Sequence, residues 1–287
     1  MIIKNIPISG ACNRPILLDI FFKDSDTHKP VVIYAHGFNG FKDWGNFDLI
    51  ASKFANEGFV FVKFNFSHNG TTVEQPDIFA DLEAFGSNNY SKELQDLRLV
   101  IDWVCSHLNP YRDMIDSNHI SLLGHSLGGG IAILQTAEDS RICKLVTWAS
   151  ISECKTPWGN WPSEKILEWK QAGVQYYANS RTMQQMPLYY QLYQDYEQNQ
   201  ARLNIRDAIK RIHIPVLICH GTKDSSVPVE KAFELIEWQP SAKLFTVESD
   251  HVFGRKHPWE NDQLPGAMET IVAETLEFLK QSTDSRE

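Results

Sequence analysis

From residue 30 onward the chain alternates two hydrophobic periodicities, and this alternation restricts its fold more than any other feature. Residues 30–35 (PVVIYA) form a short run of buried-strand type. Residues 44–57 then place Phe47, Ile50, Ala51 and Phe54 on one helical face, and Gly58 closes the segment. Residues 59–66 are rich in strand formers, and residues 93–108 return to helical spacing with Leu94, Leu97, Ile101, Val104 and Leu108 as the stripe. Further strands are predicted at residues 119–123, 144–149, 215–219 and 243–247, with helices at 127–137, 229–237 and 268–280. Strands and helices in turn imply a mostly parallel sheet with helices on both faces, an α/β fold. Two earlier apolar stretches, residues 1–8 and 16–22, predict an antiparallel pair at one edge, bringing the sheet to eight strands.

One crossover is far too long. About 60 residues separate the strand at 144–149 from that at 215–219, where a connection normally needs many fewer. Residues 152–211 therefore have structure of their own, inserted between the sixth and seventh strands. They contain Trp158, Trp161, Trp169 and the tyrosines 176, 177, 189, 190, 193 and 196, which is most of the chain's nine tyrosines. Two readings fit this concentration. In one the insertion is a cap over the carboxyl edge of the sheet, where ligands bind in such folds, with Trp158, Trp161, Tyr189 and Tyr190 lining the substrate cleft. In the other the aromatics form a local core. The division expected is a main domain of residues 1–151 and 212–287 with a cap of 152–211. Residues 282–287 look like a disordered tail.

Charge narrows the partners. The formal net charge is −9 and the pI about 5.6, which argues against nucleic acid or an anionic membrane. No apolar run approaches membrane-spanning length. The start, MIIKNIPISG, lacks the charged and then apolar pattern of a secretory signal. Five scattered cysteines without C-x-x-C spacing suit reduced structural thiols, a cytoplasmic location and no zinc site.

Residues 120–130 read ISLLGHSLGGG: a strand, then Ser126 between Gly124 and Gly128, then a helix. A serine hydroxyl becomes a nucleophile only with a base, a group to orient the base, and donors for the oxyanion that forms. A sharp strand-to-helix turn presents the hydroxyl and demands small neighbours. A glycine-rich turn can instead hold phosphate, but this one has neither the G-x-G-x-x-G arrangement nor a P-loop lysine. The Leu127 N–H, at the helix start, is a natural oxyanion donor. The second donor is expected from HGFNG, residues 36–40, with the Phe38 N–H as candidate and His36 shaping the loop rather than moving protons. After the next-to-last strand, ICHGTKDSSVP offers Asp224 as the acid, with Glu153 as the rival position. After the last strand, LFTVESDHVFGRKHPW offers His251 as the base, with His257 as the fallback. The order serine, acid, histidine fits one hydrolase fold in particular.

With HGFNG, GHSLGG, GTKD and the DHVF turn in place, the chain resembles an α/β-hydrolase from residue 30 to residue 280. Within that superfamily it resembles the cytosolic esterases grouped with cinnamoyl or feruloyl esterases and dienelactone-hydrolase-like proteins. The resemblance implies a serine esterase that hydrolyses a carboxylic ester through an acyl-enzyme, with no metal or organic cofactor and a small-molecule ester as partner. The turn FSHNGT, residues 66–71, departs from the arginine- or glycine-rich turn of many relatives and leaves the adjacent pocket wall open. The aromatic insertion suggests an aromatic or medium-size acyl group. The same residues also suit a thioesterase, acyltransferase, peptidase or carbon–carbon hydrolase, and a ligand receptor with a retired site is the non-enzymatic reading.

Overall fold

The computed structural model describes residues 1–24, 27–45, 47–179 and 181–281. The tail at 282–287 lies outside the described residues. Eight strands form one sheet: β1 (Ile2–Ser9), β2 (Pro15–Phe21), β3 (Lys29–Ala35), β4 (Val60–Asn65), β5 (Ile115–His125), β6 (Ile142–Trp148), β9 (Val216–Gly221) and β10 (Lys243–Val247). Their spatial order is β1-β2-β4-β3-β5-β6-β9-β10. β1 pairs antiparallel with β2, and β2 antiparallel with β4; every later pairing is parallel. This is the α/β-hydrolase fold, with the expected antiparallel edge.

The central strands are buried on both faces, so they read as continuous apolar runs rather than as alternating ones. Within β3, Val31, Ile33 and Ala35 join the core on one side of the sheet while Val32 and Tyr34 join the other. The first side is covered by α3 (Tyr90–Cys105), α4 (Leu127–Glu138), α7 (Ile205–Lys210) and α8 (Glu230–Trp238). The second is covered by α1 (Phe47–Asn56) and α9 (Gly266–Lys280). A short helix, α2 (Leu82–Gly86), lies in the β4–α3 connection.

The predicted stripes are buried in the structure, with one exception. α3 starts at Tyr90 because the Asn89 side chain accepts from the Lys92 N–H, and it ends at Cys105. Leu108, expected on its apolar face, therefore lies beyond the helix and is 89% exposed.

A buried charge network ties the loop after β3 to the sheet. Lys42 Nζ donates to Asp19 Oδ2 at 2.8 Å, Lys63 Nζ lies 3.0 Å from the same oxygen, and Asp43 and Asp48 complete the group. The Lys42 N–H also donates to Asn65 Oδ1 at 2.7 Å. Asp19, Asp43 and Asp48 lie close enough together to suggest a cation site. The ammonium groups of Lys42 and Lys63 already occupy the space between them.

The long β6–β9 connection holds α5 (Ser163–Ala172), a hairpin of β7 (Val174–Ala178) and β8 (Gln185–Tyr189), and α6 (Gln191–Gln198) before it reaches α7. The small antiparallel sheet belongs to the inserted cap. Trp169 is fully buried at its centre and donates from Nε1 to the Leu188 carbonyl at 2.6 Å. Trp158, Trp161, Tyr190 and Tyr193 pack around Trp169, with ring centroids 5.3–6.2 Å away. α7, at the end of the insertion, packs on α4 and α8 in the helical layer of the main domain.

Candidate active site

Ser126 ends the β5 turn with φ 57° and ψ −121°, a strained conformation for a residue with a side chain. Close approach of backbone to backbone makes the turn possible. A Cβ on Gly124 would lie 2.2 Å from the Gly128 carbonyl oxygen, and one on Gly128 would lie 2.3 Å from that of Ala35. The Ser126 N–H donates to the Trp148 carbonyl at 2.9 Å, fixing the turn to β6. α4 begins at once with Leu127, so its first N–H groups meet no helical acceptors.

The carboxyl ends of β9 and β10 bring the other two residues to Ser126. Asp224 follows β9 and His251 follows β10, and the Lys223 N–H joins their loops by donating to the Ser249 carbonyl at 2.9 Å. His251 Nδ1 lies 2.7 Å from Asp224 Oδ2, and His251 Nε2 lies 2.9 Å from Ser126 Oγ. A carboxylate only accepts, so the Nδ1–H donates to Asp224 and Nε2 accepts from the serine hydroxyl. The second Asp224 oxygen accepts from the Ser226 and Val227 N–H groups at 2.8 and 2.9 Å. Burial pushes the Asp224 carboxyl up, but the hydrogen bonds from His220 and His251 outweigh it and hold it well below the usual carboxylate range.

Neither rival joins this group. Glu153 pairs at the surface with Lys155 at 2.6 Å. His257 accepts from the Gly45 N–H at 3.2 Å and stacks beside Trp44. His36 shapes its loop, as expected. Its Nδ1–H donates to the Gly37 carbonyl at 2.9 Å, and burial lowers its pKa to about 4, so it is neutral at pH 7. That loop lies directly against the serine: a Cβ on Gly37 would come within 2.9 Å of Ser126 Cβ. Phe38 and Leu127 thus flank the nucleophile from two elements. The FSHNGT turn is buried behind this loop, with Asn69 Nδ2 donating to the Gly40 carbonyl at 3.3 Å.

A cavity of about 400 Å³ opens beside Ser126 and His251. The four cap aromatics expected to line it do not. Trp158, Trp161 and Tyr190 are part of the cap's own core, and the Tyr189 hydroxyl donates to Glu83 outside the cavity. The reason is physical: an insertion of this size must bury apolar surface of its own, and tryptophans supply most per residue. The cavity wall from the cap is instead the β7–β8 hairpin, through Tyr177, Asn179 and Arg181. The Tyr177 hydroxyl donates to Asn39, joining the cap to the loop of Phe38. Tyr34, Phe41, Trp44, Phe47 and Arg255 form the far wall. The period-2 and 3.6 patterns explain the burial of Tyr34 and Phe47, and they carry no sign that both also face a cavity.

A family model described as BD-FAE matches residues 18–239. The chain belongs to the BD-FAE family. Of proteins with known structure, Est1E from Butyrivibrio proteoclasticus shares 16% identity at a TM-score of 0.67, over 96% of this chain and 98% of that one. Est1E has also been solved with ferulic acid bound. A putative dienelactone hydrolase from Klebsiella pneumoniae shares 16% identity at a TM-score of 0.61, over 98% and 99% of the two chains. The quorum-quenching protein AidA of Acinetobacter baumannii is 27% identical over 125 residues, which is 44% of this chain and 35% of that protein. This BD-FAE member has the α/β-hydrolase fold, and its Ser126, His251 and Asp224 meet in one hydrogen-bonded chain beyond the carboxyl ends of β5, β10 and β9.

Proposed function

We propose that the chain hydrolyses carboxylic esters of small molecules, with Ser126 as nucleophile, His251 as general base and acid, and Asp224 as the group that orients and stabilises the imidazolium. The observation that carries this reading is the unbroken relay from Asp224 through His251 to Ser126, at 2.7 and 2.9 Å. His251 takes the hydroxyl proton as Ser126 attacks the carbonyl carbon. The Phe38 and Leu127 N–H groups receive the oxyanion. His251 then gives the proton to the leaving alcohol, and water repeats the cycle on the acyl-enzyme. Each oxyanion donor contributes about 3 kcal/mol to lowering the barrier.

Phe38, Phe41, Trp44, Phe47 and Tyr177 give the cavity flat apolar walls, which support an aromatic or medium-size substituent on the ester. Est1E, with its ferulic acid complex, supports the same substrate class. The five unbridged cysteines suit the cytoplasmic location that belongs to this reading. Among the described residues, no helix is long and apolar enough to cross a membrane. A panel of p-nitrophenyl acetate, octanoate and ferulate esters tests the proposal, with Ser126→Ala as the blank. Hydrolysis above the blank is expected, with octanoate or ferulate preferred; a strong preference for acetate contradicts the acyl assignment.

A further inference from the structure

Strand β9 carries a histidine where its pattern calls for an apolar residue. Val216 and Ile218 join the core on one side of the sheet, and Leu217 and Cys219 join the other. Alternation puts residue 220 on the side of Val216 and Ile218. His220 stands there, fully buried and paired in register with Thr246 of β10.

Its polar contacts all lie on one loop. Nε2 is 2.8 Å from the Val227 carbonyl oxygen and 3.3 Å from Asp224 Oδ2. Both neighbours only accept, so Nε2 carries the proton and faces both, with the carbonyl the nearer. Nδ1 is then a bare acceptor, and among the described residues it meets no donor. A buried imidazole with one nitrogen unmet is a poorer core residue than leucine or valine. Packing therefore does not account for His220; the groups it holds do.

Those groups present the acid of the triad. The bond to Val227 closes residues 220–227 into a loop at its two ends, and Asp224 lies within it. The Val227 N–H in turn donates to Asp224 Oδ1 at 2.9 Å, beside that of Ser226 at 2.8 Å. Oδ2 faces two imidazoles, His251 at 2.7 Å and His220 at 3.3 Å. Burial works to raise the Asp224 carboxyl, and of the groups that hold it down His220 acts most strongly.

We propose that His220 is a positioning residue for the triad, clamping the Asp224 loop and fixing Oδ2 so that His251 keeps the ring orientation that accepts the Ser126 proton. This rests on the reading of Ser126 as the nucleophile of an ester hydrolase. His220 is not among the residues that line the cavity, so its effect belongs in kcat rather than in KM.

The test is steady-state kinetics on p-nitrophenyl acetate. His220→Leu fills the slot without a donor, and its kcat is expected to fall about tenfold or more with KM within about twofold. His220→Gln, whose amide N–H has nearly the reach of Nε2, is expected to recover most of that loss. Should the leucine variant not fold, His220→Asn, too short to reach the Val227 carbonyl, is expected to show the same fall. A kcat within about twofold of wild type in the leucine or asparagine variant overturns the proposal. So does a loss confined to KM, or one that glutamine does not recover. Hydrolysis above the Ser126→Ala blank reports on the ester reading separately. Were it absent, the rate at which a fluorophosphonate labels Ser126 decides. A rate that falls in His220→Leu and returns in His220→Gln still supports the positioning role; an unchanged rate, or no labelling of the wild type, removes it.

Discussion

His125 donates from Nε2 to the backbone carbonyl of His251 at 2.9 Å, so the residue just before the nucleophile holds the loop of the base. Burial, reinforced by the charge of His251, keeps the His125 pKa well below its usual value, and the ring is neutral when it donates. The two imidazoles lie 4.8 Å apart. Loss of this bond lets the base loop drift from Ser126. His125→Ala is expected to lower kcat about five- to tenfold with little change in KM, as befits a hydrogen bond of roughly 1 kcal/mol. Steady-state kinetics on a p-nitrophenyl ester checks it, and an effect confined to KM contradicts the positioning role.

The cap makes two opposite predictions for two aromatic residues. Tyr177 lines the cavity and holds Asn39 of the oxyanion loop, whereas Trp161 packs on Trp169 within the cap. Tyr177→Ala is expected to reduce kcat/KM about tenfold or more, since the truncation removes both the hydrogen bond and a wall. Trp161→Ala is expected to stay within about twofold of wild type in kcat/KM while lowering the melting temperature. Equal kinetic losses in the two variants contradict the placement of the cavity wall.

Glu93 sets a pH dependence of stability. It is buried beside Asp96, accepts from Asn88 Nδ2 at 2.7 Å through one oxygen, and has no partner for the other among the described residues. Burial raises its pKa to about 8, and Asp96 adds to the rise. An unfolded glutamate titrates near about 4.3. The protonated form is thus favoured in the fold, so its contribution is complete below the unfolded pKa and is lost as pH rises through about 8. Glu93→Gln removes the titration while keeping an acceptor for Asn88. Its melting temperature relative to wild type is expected to increase from pH 5 to pH 8.5; a difference independent of pH contradicts the assignment.

Asp19 is the central acceptor for the buried lysines 42 and 63. Removing one partner of a buried ion network leaves charge uncompensated, at a cost of about 3–5 kcal/mol. Asp19→Ala is expected to lose that much stability in urea unfolding. A loss below about 1 kcal/mol means that the network is solvated.

Much of the site was legible in sequence because its residues sit where local signals place them. Ser126, Asp224 and His251 each follow a recognisable strand, and small residues around Ser126 marked the turn. The cavity walls were not legible. Tyr177, Arg181 and Arg255 line the same cavity as Ser126 only through tertiary placement of a hairpin and a loop, and no periodicity announces them. Trp158 and Trp161 misled because an aromatic cluster reads the same whether it lines a cleft or fills a core. Leu108 misled because helical spacing continued past the point where the helix stops.

The central claim is that Ser126 is a nucleophile activated by His251. Reaction with a fluorophosphonate, followed by intact mass and peptide mapping, measures this directly. The account predicts one adduct, on Ser126, absent from Ser126→Ala and much slower to form in His251→Ala. Labelling of Ser126→Ala at the wild-type rate, or no adduct on the folded wild-type protein, contradicts it.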